Sequence, residues 1–550
     1  MRRAALILLT AVVLPAFLFA AAACGGGSSG SPTPASTPSA SPTETEPSPP
    51  AGPPLPGPSL DLAAQPPVST VLGIDSQDFA EGVPSLASGD FNADGYADVL
   101  IGAPLADGPD NTRDGAGEAY VILGRPDPPQ QIDLTDKADL IIYGAAPDDG
   151  LGYSVLAADV NGDGTDDVLV GAPGVSGTED PRTDQGQVYV FFGAPDLGGT
   201  RDIAQAAAPV TISGAEGFSR VGHAIASGDV NADGISDIVV GAPFAGRFPN
   251  TPPGSERTEV GEVYVLFGRH DLSGYFSVVF DQQNFTIGGL QPFGQFGASV
   301  AAGDVNGDGV DDIIVGAPQS DGPDGAPDSA GLVYVFFGAA GLTGRVSLTE
   351  RPADFTVLGA GERHSLGFPL ISADLNADGI ADIAVGARLA TAPGSSTLDT
   401  GAVYVLFGRR DLGGTLNLAS APADVTTYGA QASQLIPSSL ASGDLNGDGA
   451  ADLLIGSGTA SGPGSRAAAG VAYVVLGGPA FAAVDLAAGG QDLAVSGIHA
   501  GDSLGSAVIA AAVTGARPHL VLLASAADRP DGARSDTGAI YFVLPPPFGG

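Results

Sequence analysis

Asp159-Val-Asn-Gly-Asp-Gly-Thr-Asp-Asp-Val-Leu-Val-Gly-Ala-Pro173 is one copy of a unit on which the whole chain is built. Its first nine residues place oxygen-bearing side chains at alternate positions and turn at Gly164. An apolar run and a Gly-Ala-Pro follow. The nine-residue form Asp-x-Asn-x-Asp-Gly-x-x-Asp begins at Asp90, Asp159, Asp229, Asp304, Asp374 and Asp444, copies about 70 residues apart. One such loop would suggest a bound cation and little more. Six at a near-constant period are the mark of a repeat architecture.

At 550 residues the chain exceeds what one hydrophobic core serves, so several units or a repeat array are expected. Hydrophobic residues (43%) allow real burial, while 83 Gly and 45 Pro favour short strands and turns over helices. The net charge is −41, from 62 acidic and 21 basic residues. Such a surface repels phosphate backbones and anionic lipid head groups, which argues against nucleic acid as a partner.

Cys24 is the only cysteine, so no internal disulfide forms. Arg2 and Arg3 precede an apolar run ending at Ala23, and Cys24 follows at once with three glycines behind it. This layout resembles a bacterial lipoprotein signal (residues 1–23) cut before a lipid-bearing Cys24, although Ala21 stands where that signal usually has Leu. A secretory signal cleaved elsewhere and an uncleaved anchor kinked at Pro15 are the other readings. All three export the chain; the lipid places it at the cell surface, and the membrane is touched only through this end. Residues 24–58 are, after Cys24, almost entirely Ser, Pro, Thr, Ala and Gly with a few Glu and little apolar surface, and are expected to form an extended tether.

Aligning the copies reveals four short apolar runs per period. In the second they are Gly152-Tyr-Ser-Val-Leu-Ala-Ala, Val168-Leu-Val, Gly186-Gln-Val-Tyr-Val-Phe-Phe and Val210-Thr-Ile-Ser. The runs are continuously apolar, so both faces of each strand are buried, as in radially stacked four-stranded blades. Third-strand tyrosines give seven copies, not six: Tyr120, Tyr189, Tyr264, Tyr334, Tyr404, Tyr473 and Tyr541. The seventh puts Ala512, Thr514, Ala516 and Leu520 at the loop positions, so its blade is expected without an ion. That copy stops after its third strand, and Ser69-Thr-Val-Leu-Gly73 supplies the missing fourth, closing the ring and removing exposed edges. The fold is therefore read as an all-β, seven-bladed propeller over residues 59–545 with a short tail, 546–550. A linear β-solenoid is the alternative, disfavoured because its rungs are usually much shorter.

The Phe/Leu-Gly pairs before the first strand (Leu151-Gly152, Phe296-Gly297, Leu366-Gly367) and the Gly-Ala-Pro at 102–104, 171–173, 241–243 and 316–318 resemble FG-GAP repeats. Those repeats build the seven-bladed propeller of integrin α subunits, which the chain resembles from about residue 60 to 545. The pattern fades at Pro84, Pro437, Gly386-Ala-Arg388, Gly456-Ser-Gly458 and Ala524-Ser-Ala526.

Oxygens at loop positions 1, 3, 5 and 9, with a carbonyl at 7, wrap one hard cation, and calcium accepts six to eight of them in a forgiving geometry. The expected side-chain ligands are Asp90, Asn92, Asp94 and Asp98 in the first copy and Asp159, Asn161, Asp163 and Asp167 in the second. Asp229, Asn231, Asp233 and Asp237 follow, then Asp304, Asn306, Asp308 and Asp312. The last two sets are Asp374, Asn376, Asp378 and Asp382, and Asp444, Asn446, Asp448 and Asp452. Tyr96, Thr165, Ile235, Val310, Ile380 and Ala450 would lend carbonyls. An EF-hand is excluded, because its twelfth-position Glu falls here on strand residues such as Ile101 or Val170. Acidic turns that merely cap strands are the remaining alternative. About six structural calcium ions are expected, coupled to folding.

Catalytic equipment is sparse. The five histidines (His223, His270, His364, His499, His519) hold no equivalent positions, and no nucleophile elbow, Walker loop or His-Glu-x-x-His occurs. The resemblance implies a non-enzymatic, monomeric propeller in adhesion, with an extracellular protein or glycan as ligand. Its ligand face would lie opposite the calcium loops, on loops Asp107 to Arg113, Arg247 to Glu259 and Asp321 to Asp328. Asp148, Asp149, Phe218, Arg220, Phe293, Arg363 and His364 would lie there between blades. A polysaccharide-acting enzyme on the same scaffold is the other reading.

Overall fold

The computed structural model describes residues 55–73, 85–176, 184–214, 218–246, 259–278, 282–322, 327–392, 399–431, 433–515, 517–528 and 537–548. The export signal, Cys24 and the tether up to residue 54 lie outside them. Seven antiparallel four-strand units form a closed ring, a seven-bladed β-propeller. In blade one the strands are Ser85–Gly89, Asp98–Ala103, Glu118–Ile122 and Leu140–Tyr143, counted outward from the axis. Each inner strand touches the inner strands of both neighbouring blades, and the cycle closes from the seventh to the first.

The continuously apolar second strands are sandwiched as their composition predicts. Asp98–Ala103, Asp167–Ala172, Asp237–Ala242, Asp312–Ala317, Asp382–Ala387 and Asp452–Ser457 are buried at all six positions. The core is not one mass but seven wedges, each filled from the facing sheets of two adjacent blades. Val99, Ile101 and Tyr120 of blade one, for example, meet Val521, Leu523 and Phe542 of blade seven. The third-strand tyrosines lie in these wedges.

The FG-GAP signature has a steric cause. A Cβ on Gly316, the Gly of blade four's Gly-Ala-Pro, would stand 1.9 Å from the carbonyl oxygen of Gly367, which opens blade five. Gly102, Gly171 and Gly241 meet the carbonyls of Gly152, Gly222 and Gly297 in the same way. The two glycines are therefore the two halves of one close backbone contact between blades.

Six of the seven sheets gain a fifth strand that the four-strand reading does not contain. After its third strand the chain runs back to the previous blade and pairs in parallel with that blade's outer strand. Gly199–Asp202 joins Leu140–Tyr143, and Gly274–Ser277 joins Val210–Ser213. Gly344–Ser347, Gly414–Asn417 and Gln131–Asp133 do the same on blades three, four and seven. This covers an edge that would otherwise offer unpaired backbone groups. Arg113 clamps one of these strands with two hydrogen bonds to Asp202, at 2.8 and 2.7 Å, and Arg345 on another pairs with Glu262. Blade five has no fifth strand; Phe481 and Val484 of that connection pack into the core instead.

The N-terminal end closes the ring twice over. Ser69–Leu72 pairs with Ala539–Val543 in blade seven, as expected, and Ser59–Asp61 is the fifth strand of blade six. Arg466 holds Asp61 at 2.6 Å. The folded unit also reaches past its expected limits at both ends. Leu55 packs on the wedge between blades five and six, Gln491 Nε2 donates to Pro56 O at 2.6 Å, and Phe548 packs against the wedge between six and seven. Apolar side chains at both margins draw these residues onto the surface.

Candidate functional site

In each Asp loop the first carboxylate folds the turn around itself. Asp304 accepts from the backbone of Asp308 at 3.0 Å and of Gly309 at 2.8 Å; Asn306 Oδ1 accepts from Asp308 N, and Asp308 Oδ1 from Val310 N. The other five loops repeat the first-position bonds. Gly309 has φ +92°, a conformation strained for any residue with a Cβ. Positions 1, 3 and 5 are thus held on one turn by hydrogen bonds between their side-chain oxygens and the loop's own amides.

Position 9 has a second duty that spacing does not reveal. Asp98 is fully buried at the start of its strand and accepts from Phe91 N at 2.9 Å and Gly124 N at 2.7 Å. The same pairs recur as Asp167 with Val160 and Gly193, Asp237 with Val230 and Gly268, and Asp312 with Val305 and Gly338. Asp382 joins Leu375 to Gly408, and Asp452 joins Leu445 to Gly477. Each therefore ties the Asp loop to the turn between third and fourth strands. Burial, augmented by Asp94 and Asp90, raises the Asp98 carboxyl to about 7, against the pull of its backbone hydrogen bonds. Its four closest counterparts rise to about 7, and Asp452 to about 6.

The loops are also sewn to one another. The carbonyls of Phe91, Val160, Val230, Val305 and Leu375, each at loop position 2, accept an amide from the next blade's turn. These side chains are themselves fully buried. With the Arg125 N to Val513 O bond from blade one to blade seven, the loops form a hydrogen-bonded girdle that is interrupted only between blades six and seven, where Pro546 takes the donor position and has no amide to give to Leu445 O.

An all-oxygen set on a glycine turn, with a buried carboxylate raised by burial and by its acidic neighbours, suits a hard divalent cation. Among the described residues no three acidic, His or Cys side chains already converge as a preformed metal cluster.

Blade seven differs from the expected register by one residue. Its second strand is His519–Ala524, with Ala511 opposite His519 as Gly89 is opposite Asp98. His519, not Leu520, therefore takes position 9, because this loop is one residue shorter. Leu523-Ala524-Ser525 correspondingly replaces Gly-Ala-Pro. The partner turn has changed too: Pro545 stands where the others have Gly, so no amide needs an acceptor. His519 is 2% exposed, and burial lowers its pKa.

The opposite face carries the loops between second and third strands and those between blades. Asp148, Phe218, Phe293 and Arg363 all have left-handed backbones, φ 61–66°. Phe218 is 48% and Phe293 64% exposed, and Leu290 beside it 45%. Arg220 pairs with Asp184 at 3.2 Å and lies 5.4 Å over the Phe244 ring. Asp149 is buried; desolvation raises it to about 6, and one oxygen accepts from Ala146 N. Burial lowers His364, whose Nδ1 has no partner among the described residues. In the loop from Asp107 to Arg113, Asp107 accepts from Gly115 N and Arg113 is spent on Asp202. Residues 247–258 and 323–326 of the other two expected loops lie outside the described residues.

The FG-GAP repeat profile matches residues 82–122, 151–191, 221–266, 296–336, 370–406 and 437–475, the first six blades. The chain belongs to the FG-GAP repeat family. This FG-GAP protein is 31% identical over 236 residues to human phosphatidylinositol-glycan-specific phospholipase D, 42% of this chain and 26% of that one. It is 30% identical over 249 residues to integrin alpha pat-2 of Caenorhabditis elegans, covering 43% of this chain and 18% of the integrin. Chicken integrin alpha-V is 30% identical over 246 residues, 44% and 20% of the two chains. The matched region thus spans about a quarter or less of each of these relatives. Among the described residues no helix is long and apolar enough to cross a membrane.

Proposed function

We propose that this FG-GAP protein is an exported, lipid-anchored calcium propeller that binds an extracellular protein or glycan without turnover. The observation that carries the reading is the exposure of Phe218, Phe293 and Leu290 on neighbouring loops, beside Arg220, in a chain of net charge −41. Exposed aromatics and Arg are the side chains that dominate binding energy at interfaces. They lie on the face least constrained by the repeat.

Calcium has a structural role in this proposal. Each of six loops takes one ion, through the side chains at positions 1, 3, 5 and 9 and the carbonyl at 7. The ion neutralises carboxylates that otherwise repel, and the girdle passes that order to neighbouring blades. The phospholipase relatives share only this region, so their activity is not assigned to the chain; integrin kinship supports the binding role.

An array of matrix proteins and glycans, probed with and without calcium, tests the proposal. The Phe218→Ala/Phe293→Ala double variant should lose at least about tenfold in binding with its melting temperature unchanged. Binding that survives both the double variant and calcium removal sinks the reading, and turnover of a bound glycan favours the enzyme instead.

A further inference from the structure

A row of side chains runs outward along the face of blade two that is turned toward blade one. Tyr189, Thr211 and Tyr275 are register neighbours on the third, fourth and fifth strands. Together with Asp149, Gln187 and Gln205 they line an open groove of about 740 Å³. That volume lies within the range of roughly 300–1,000 Å³ typical of small-molecule sites.

Blade two alone carries an aromatic ring at the outer end of this row. The corresponding residues are Thr200 on blade one, Arg345 on three, Thr415 on four, Ser59 on six and Gln131 on seven. On blade three Arg345 bonds Glu262, which also accepts from Tyr264 Oη. In blade two Gln187 replaces that Glu and turns its amide to Ser213. The Tyr189 hydroxyl has no partner among the described residues, whereas Tyr264 and Tyr473 are both bonded. Tyr275 is 59% exposed, while Tyr189 and Asp149 are 4% and 5% exposed.

The groove offers a flat aromatic wall, a free phenol, neutral amides and one carboxylate, and no Lys or Arg lines it. An anionic ligand would meet Asp149 with no Lys or Arg in the groove wall; Arg113, which acts on Asp149 from outside the lining, is already paired with Asp202. A ligand with many hydroxyls on one side and C–H groups on the other fits, since the electron-rich ring face attracts C–H edges. We infer that this groove is a binding site for a neutral saccharide, with Tyr275 as the stacking platform and Tyr189, Gln187 and Asp149 as hydrogen-bonding partners. The inference does not depend on what the loop face binds.

Saturation-transfer NMR and calorimetry on the full chain test it, with the methyl glycosides of glucose, galactose and mannose, cellobiose, and glucuronate and inorganic phosphate as anionic probes. At least one neutral sugar should bind, and glucuronate and phosphate should not. Tyr275→Ala should weaken binding about tenfold or more, Tyr275→Phe should retain it, and Tyr189→Phe should weaken it several-fold. The Phe218→Ala/Phe293→Ala variant should leave it unchanged. The inference is overturned if no neutral sugar binds, if Tyr275→Ala binds as wild type does, if Tyr275→Phe loses binding along with Ala, or if an anion binds as well.

Discussion

Replacing Gly316 by Ala tests the contact that gives the repeat its signature. Gly316 carries no left-handed backbone, so the substitution adds no conformational strain and acts through space alone. The new methyl would stand 1.9 Å from Gly367 O and 2.3 Å from Ser299 Oγ, against an ordinary separation above 3.4 Å. The serine can rotate away, but the carbonyl belongs to blade five, so two packed blades must part by more than an ångström. Overpacking of this kind costs about 1–3 kcal/mol, and a backbone obstacle places it at the upper end. In a protein this large a shift in melting temperature dilutes that cost, so hydrogen exchange is the better assay. About 3 kcal/mol speeds exchange through local opening by roughly two orders of magnitude. The acceleration should fall on Ser299–Gly303 and Leu366–Ala373 and spare blade one. Gly386→Ala is the milder comparison, since its nearest obstacles, Pro437 Cγ at 2.7 Å and the Phe368 carbonyl oxygen of its own blade at 2.8 Å, stand well beyond the 1.9 Å met at Gly316. The steric account is refuted if Gly316→Ala exchanges like wild type, or if Gly386→Ala is the more damaging of the two.

Chelation should lower the melting temperature and accelerate exchange in the six Asp loops but not across residues 512–519 of blade seven; an unchanged melting temperature would remove the case for structural calcium. Arg113→Ala leaves Asp202 without its clamp and should cost about 1–2 kcal/mol after allowance for solvent screening, read as faster exchange of Gly199–Asp202. Wild-type exchange there would mean that the fifth strand needs no latch. His223 lies between Tyr153 Oη at 3.0 Å and Ala298 O at 3.2 Å, and burial, then Arg220, lowers its pKa from 6.5 to about 4. It is neutral in the fold, so its contribution is intact above pH 6.5 and is lost as pH falls through 4, by at most about 3 kcal/mol. The stability difference between wild type and His223→Gln should therefore narrow over that window, and a constant difference would refute the assignment.

Blade number and closure were legible because both rest on signals that the fold cannot vary freely: a fixed period, wholly buried second strands and one tyrosine per blade. The fifth strands were not, because their side chains are largely exposed and carry no apolar run. Gly199–Asp202 has three exposed residues out of four. A weaker signature is visible once the pairing is known: Gly199, Gly274, Gly344 and Gly414 each precede by four residues an aliphatic one (Ile203, Val278, Leu348, Leu418). The Asp loops gave their turn and donor set through spacing. The backbone-accepting role of position 9 stayed hidden because an expected metal ligand and a backbone acceptor make the same demand, a carboxylate. One deleted residue in the seventh loop moved His519 into that position, a shift that pattern matching without strand pairing cannot place. The groove on blade two was invisible because Tyr189 and Tyr275 are 86 positions apart in the chain and meet only through a strand donated by the next repeat.

The doubled closure also decides where the molecule gives way under mechanical load. Tension transmitted through the chain N-terminal to residue 55 meets the packed Leu55 and the Gln491–Pro56 hydrogen bond, and then Ser59–Asp61, three residues held by parallel pairing and by the Arg466–Asp61 ion pair. Only after that strand peels does force reach Ser69–Leu72 and the seam of the ring. The order makes the first strand a fastener placed ahead of the ring's seam: its loss leaves the Ser69–Leu72 pairing that closes the seven blades intact.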